Sequence, residues 1–141
     1  MIELHGSLHK VLCLDCGIRL ERDAVQLALE AQNAYLLEVE AVQAPDGDTL
    51  RLKPDVVFFG ENVAPLTASR AMAGAEQAAG LLVIGSSLMA YSAFRLCKRV
   101  AERGKPLIAV NLGKTRADDL LDFKFEAPCE QLLPLLAERL G

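Results

Sequence analysis

Two cysteines with two residues between them, Cys13 and Cys16, follow a histidine–glycine pair, His5-Gly6, in the stretch ELHGSLHKVLCLDCG. A C-x-x-C spacing lets two thiolates grip one tetrahedral metal, although a structural zinc site takes four ligands. The same spacing also serves a redox dithiol that opens a helix after a strand. The residues that follow, Gly17-Ile18-Arg19-Leu20, give that reading little support. A third reading is a pair of unligated thiols. His9 is a weak further nitrogen donor. His5 has two readings: a general base, since imidazole titrates near neutrality, or an ordinary histidine near a terminus. Cys97 and Cys129 stand far along the chain without knuckle spacing, and their simplest reading is that of small buried hydrophobes. The acidic pair Asp118-Asp119 is most simply the start of a helix.

The elements that must position these groups are legible in the hydrophobic pattern. PDVVFFG (54–60) is a short apolar run opened by Pro and closed by Gly, and predicts a buried strand. An Ala-rich helix is expected over 65–79, ending near Gly80. LLVIG (81–85) predicts a second strand. Residues 92–104 form an amphipathic helix with Phe94, Leu96, Val100 and Ala101 inward. PLIAVN (106–111) is a third strand, 123–126 a short fourth, and 129–140 a terminal helix interrupted by Pro134. Strand–helix–strand–helix–strand is the pattern of a parallel α/β sheet, whose ligands bind beyond the carboxyl ends of the strands. Those ends are Gly60-Glu61, Gly85-Ser86-Ser87 and Asn111-Leu112-Gly113. Residues 18–53, with a helix-like stretch at 21–32 and an acidic turn at 44–48, read as an excursion from the sheet.

The totals narrow the function classes. The chain has 141 residues, enough for one domain with a core, and 52% of them are apolar, which argues against disorder. A net charge of −4 leaves no electrostatic footprint for nucleic acid or an anionic membrane. The apolar runs are too short to span a bilayer. MIELHGSLHK lacks the pattern of a signal peptide, and cytoplasmic localisation is the expectation.

Together ELHGSLHKVLCLDCG, LKPDVVFFGENV, LLVIGSSLMAYSAFRL, LIAVNLGKTRADDL and APCEQLLPLL resemble the sirtuins, NAD-dependent protein-lysine deacylases, and most of all the bacterial and mitochondrial group reading LKPDVVFFGE. The likeness touches nearly the whole chain apart from about residues 18–50. It implies an α/β fold: part of a Rossmann-like parallel sheet with helices, plus a degenerate small zinc-binding-type arm. By that resemblance residues 1–10 begin the catalytic segment, 11–53 are the arm, and 54–141 are the C-terminal part of the NAD-binding domain. His5 would be the catalytic base. Val56, Val57, Phe58, Phe59, Gly60 and Glu61 would receive an acyl-lysine peptide as an added strand. Leu88, Met89 and Tyr91 would lie across that peptide. Gly85, Ser86, Ser87, Asn111, Leu112 and Gly113 would hold the ribose and phosphates of NAD, with Cys129 near the adenine. Cys13 and Cys16 would be half of a zinc knuckle.

Two departures qualify the resemblance. Sirtuins carry a long region before the catalytic histidine, with a Gly-Ala-Gly-x-Ser loop and a Thr-Gln-Asn-x-Asp segment; neither motif occurs here. The expectations are weak or no turnover by the chain alone, an uncovered apolar sheet edge, and a separate N-terminal sirtuin half as a possible partner. The alternatives are a non-catalytic module that binds acyl-peptide or nucleotide, or a chain that does not fold stably. The second cysteine pair of the knuckle would fall at positions 45 and 48, which are Pro45 and Asp48. An internal deletion joining an acidic loop to LKPD accounts for this. Two thiolates helped by Asp48 and His9 rarely fix tetrahedral geometry, which argues against a tight zinc site.

Overall fold

The computed structural model describes residues 1–32, 42–43 and 49–140. The chain divides into two compact units, His5–Asn62 and Val63–Gly141, the latter together with Met1–Leu4.

The His5–Asn62 unit is built on an antiparallel sheet. Its strands are β1 (Gly6–Cys13), β2 (Arg19–Glu21) and β5 (Leu52–Val56), in the order β2-β1-β5. Helix α1 (Arg22–Gln32) lies against β1 and β2. A two-stranded ribbon pairs β3 (Val42–Gln43) with β4 (Thr49–Leu50). Strand β1 shows the period-2 burial of a half-covered strand: Val11 and Cys13 are buried, and Val25 of α1 joins them. Between Ser7 and Val11 its register against β5 shifts, so that residues 8–10 bulge. Gly6 is required where β1 begins. Its φ is +82°, and a Cβ there would collide with the carbonyl of Asp55.

The strand expected over 54–60 in the parallel sheet is corrected here. It occupies Leu52–Val56, runs antiparallel to β1 and belongs to the other unit. The reason lies in Pro54, which cannot donate to a ladder and so favours an edge strand, where β5 sits. Gly60-Glu61 therefore lies in a turn closed by the Glu61 N–H donating to the Phe58 carbonyl (3.0 Å), not at the end of a parallel strand.

The second unit matches its expected pattern closely. Helix α2 (Pro65–Gln77) precedes β6 (Leu81–Ile84), α3 (Tyr91–Glu102), β7 (Leu107–Val110), a 3-10 turn at Asp118–Leu120, β8 (Phe123–Phe125) and α4 (Cys129–Leu140), which runs through Pro134. The strands form a parallel sheet in the order β6-β7-β8. Val83, Leu107 and Ala109 point to one face and pack with Leu88, Cys97 and Ala117, and Phe94 and Ala101 close over them. Burial pushes the Cys97 thiol up, so Cys97 is a small core hydrophobe, as expected. The opposite face leaves Leu82, Ile84, Phe123 and Phe125 38–55% exposed. Among the described residues no helix is long and apolar enough to cross a membrane.

Candidate cofactor and substrate sites

In the Val63–Gly141 unit the carboxyl ends of β6 and β7 come together. The Gly85 N–H donates to the Val110 carbonyl (2.9 Å), which sets Gly85 beside Asn111. Gly85 has φ +58°, and a Cβ there would meet the Cys129 sulfur at 3.9 Å. Three residues read separately from the sequence, Gly85, Asn111 and Cys129, thus meet at the strand ends. Gly113, with φ +72°, has open space where a Cβ would stand. The Asn111 amide donates to the carbonyls of Leu112 (2.8 Å) and Gly113 (3.3 Å), which folds 111–113 into a tight turn. Exposed backbone at such a turn suits close approach of a nucleotide.

The 86–91 segment is strained and braced. Leu88 has φ +57°, unusual for a side chain with a Cβ. Its N–H donates to the Ser86 hydroxyl (3.2 Å), while its side chain is buried in the core, leaving its backbone as what it offers a ligand. Met89 and Tyr91 are exposed. Arg116 holds the segment from outside. Its backbone N–H donates to the Ser87 carbonyl (2.9 Å), its guanidinium to the Met89 carbonyl (3.0 Å), and it stacks on Phe94 and Tyr91 (4.8 and 5.4 Å). Ala90, ahead of α3, gives no side-chain cap, and its carbonyl accepts the N–H groups of Ala93 and Phe94 (both 3.1 Å).

In the His5–Asn62 unit, His5 precedes β1, and its carbonyl accepts the Val57 N–H (2.9 Å). That bond ties the catalytic-base candidate to the start of the 57–61 turn. Val56 ends β5, Phe58 and Phe59 are exposed, and Gly60 has φ +90°. Lys53 donates to both oxygens of Glu61 (2.6 and 2.7 Å) and lies 4.9 Å over the Phe58 ring, while Glu61 accepts the Phe58 N–H (3.0 Å). The hydrogen bond from Lys53 holds the Glu61 carboxyl below the usual carboxylate range.

Cys13 and Cys16 stand in a turn where the Gly17 N–H donates to the Cys13 carbonyl (3.0 Å). Cys13 is buried and Cys16 exposed. Backbone N–H groups of Cys16 and Asp15 aimed at the Cys13 sulfur push its thiol down. The four-ligand metal set does not fit these residues. Among the described residues no three His, Cys, Asp or Glu side chains converge on one point. His9 lies in the bulge of β1, about 10 Å or more along the strand from Cys13. Pro45 and Asp48 lie outside the described residues.

Sequence reading missed Arg116, Lys53 and the Lys124–Asp118 pair (3.1 Å) that steadies the loop after β7. Each acts through a partner brought near by the fold, and charge pattern alone does not signal that. Only Lys53–Glu61, both inside the LKPDVVFFGE motif, had a signal within one motif.

The Sir2 family profile matches residues 1–92. The NAD-dependent protein deacetylase 3 of Pseudomonas syringae pv. tomato is 61% identical over 160 aligned positions, covering 99% of this chain and 57% of that protein. The NAD-dependent protein deacetylase of Xanthomonas campestris pv. campestris (strain B100) is 44% identical over 157 positions, covering 98% and 54%. A solved Sir2 bound to acetylated peptide superposes with a TM-score of 0.83 at 28% identity, covering 98% of this chain and 55% of that one. A Sir2–p53 peptide–NAD⁺ complex gives 0.82 at 29% identity, covering 98% and 54%. The chain thus spans little more than half the length of these relatives. Both alignments also run over more positions than the 141 residues of the chain, so the relatives carry internal residues with no counterpart here.

Proposed function

The chain belongs to the Sir2 family, and from that premise we propose that it carries the catalytic histidine and about half of the cofactor site of an NAD-dependent protein-lysine deacylase. NAD, when bound, supplies the ADP-ribose that takes the acyl group as nicotinamide leaves. His5 accepts the proton of a ribose hydroxyl at a ring nitrogen. The backbone of Val56, Val57, Phe58, Phe59, Gly60 and Glu61 holds the acyl-lysine peptide in extended form, and Leu88, Met89 and Tyr91 cover it. Gly85, Ser86, Ser87, Asn111, Leu112 and Gly113 line the cofactor, and Cys129 borders its adenine end. The observation that carries the reading is the meeting of Gly85, Asn111 and Cys129 at the carboxyl ends of two parallel strands. Gly85 and Gly113 at these strand ends have positive φ, and the fit to a dinucleotide is one of backbone approach rather than of charge.

A second reading is a module that binds NAD or acyl-peptide with little turnover. It is supported by the open sheet face at Leu82, Ile84, Phe123 and Phe125, which leaves the cofactor half-site without backing on that side. A separate N-terminal sirtuin half would be its natural complement. Calorimetric titration of NAD, paired with a nicotinamide-release assay on acetyl-lysine peptide, tests both. Saturable NAD binding that Gly85→Val abolishes is the expected result. Release that His5→Ala removes marks the enzyme, and binding without release marks the module. Absence of NAD binding overturns the enzyme reading and the NAD-binding form of the module.

A further inference from the structure

Among the described residues the arm around the two cysteines brings no set of metal ligands together, yet its two limbs are joined. We propose that a guanidinium–carboxylate fork between Arg51 and Asp15 closes this arm in place of a metal. Asp15 lies between Cys13 and Cys16, and Arg51 immediately precedes β5. The Arg51 Nε donates to both Asp15 oxygens, at 3.0 and 3.3 Å, and Nη2 donates to Oδ1 as well. The backbone repeats the link, because the Leu14 N–H donates to the Arg51 carbonyl (2.8 Å), and Cys13 stands opposite Leu52 in the ladder. A knuckle metal would tie the first cysteine pair to the limb leading into LKPD; the fork ties the same two stretches.

Three further observations favour the fork over a cation. The remaining cysteines belong to the other unit, where Cys97 is buried in the core and Cys129 begins α4. His9 is out of reach in the bulge. The Asp15 carboxylate, the nearest oxygen donor in sequence to the two thiols, is already engaged by the Arg51 guanidinium. Planar two-point geometry makes Arg, rather than Lys, the residue for such a cross-link.

The test uses the full chain grown in zinc-containing medium. Zinc is counted by mass spectrometry, and the unfolding midpoint is recorded with and without a chelator. The expected result is zinc far below one per chain and a midpoint the chelator does not move. Asp15→Asn, Arg51→Gln and the double variant then form a cycle, in which the double variant falls no further than either single. Exchange of the Leu14 amide, read in the same variants, accelerates in Asp15→Asn and ignores the chelator. One zinc per chain, with a midpoint that drops on its removal, overturns the proposal. So does additivity of the two single substitutions, or a Leu14 amide unchanged in Asp15→Asn.

Discussion

The two units are stabilised by different physics. The Val63–Gly141 unit is organised around a parallel sheet with fully buried Leu107, Val100, Val110 and Cys97. Among the described residues of the His5–Asn62 unit, the buried side chains are Val11, Cys13 and Val25. That unit relies on its antiparallel ladder and on ion pairs at the surface: Arg19–Asp55 at 2.6 Å, Arg51–Asp15 and Lys53–Glu61. Exposed pairs add little each. The lesson is a division of labour: the strand ends proposed for NAD stand on the apolar unit, and the histidine and the turn proposed to receive the peptide stand on the polar one.

Four substitutions or conditions break or sharpen that contrast. Leu107→Ala has the largest expected effect, a loss of about 3 kcal/mol from the Val63–Gly141 unit through an unfilled core space. It is read by denaturant melts followed with hydrogen exchange, and exchange in the His5–Asn62 ladder should stay slow. Gly6→Ala should do the reverse, destabilising the ladder by roughly 1–3 kcal/mol because the residue must hold a positive φ against the Asp55 carbonyl. If its amides at β1 and β5 exchange no faster, the tight approach is not what holds the strands.

Acid is the third. Arg99, the main cause, and then Arg103 hold the Glu76 carboxyl down, and Thr115 and then Lys124 do so for Asp118. In the other unit Arg51 does it for Asp15 and Lys53 for Glu61. A folded-state value below the unfolded one gives stability that is full above the ordinary carboxylate range, near about 4, and is lost as pH falls through the folded-state values. Both units weaken in that window, and the thin one should open first. Midpoints recorded against pH check this, and Glu76→Gln should flatten only the slope of the Val63–Gly141 unit. The smallest effect is expected from Lys53→Met. It frees Glu61 and should speed exchange of the Phe58 amide with little change in midpoint, whereas Lys53→Arg restores protection.

The sequence was most readable where contacts are local. Each of β6, α3, β7 and α4 carries its own period, and helix-crossover rules leave little choice about how the strands pair. Cys97 was readable as a core residue for the same reason. The antiparallel sheet was not, because the partner of β1 lies across an excursion of the chain and only Pro54 hinted at an edge. The candidate NAD residues were legible as motifs, since glycine at a strand end is itself a backbone requirement. Their braces were not: Arg116 reaches Met89 through the fold, and nothing in the sequence marked the Leu88 side chain as buried.

The pairing of β1 with β5 also sets an order of events in time. Residues 14–51, about two thirds of the His5–Asn62 unit, are synthesised between the two strands, so β1 waits with one edge unpaired until Leu52–Val56 is made. The β6–β7–β8 sheet closes through short crossovers as it emerges. During synthesis the His5 segment therefore leaves the ribosome well before the strand that locks it, through the bond from Val57 to the His5 carbonyl.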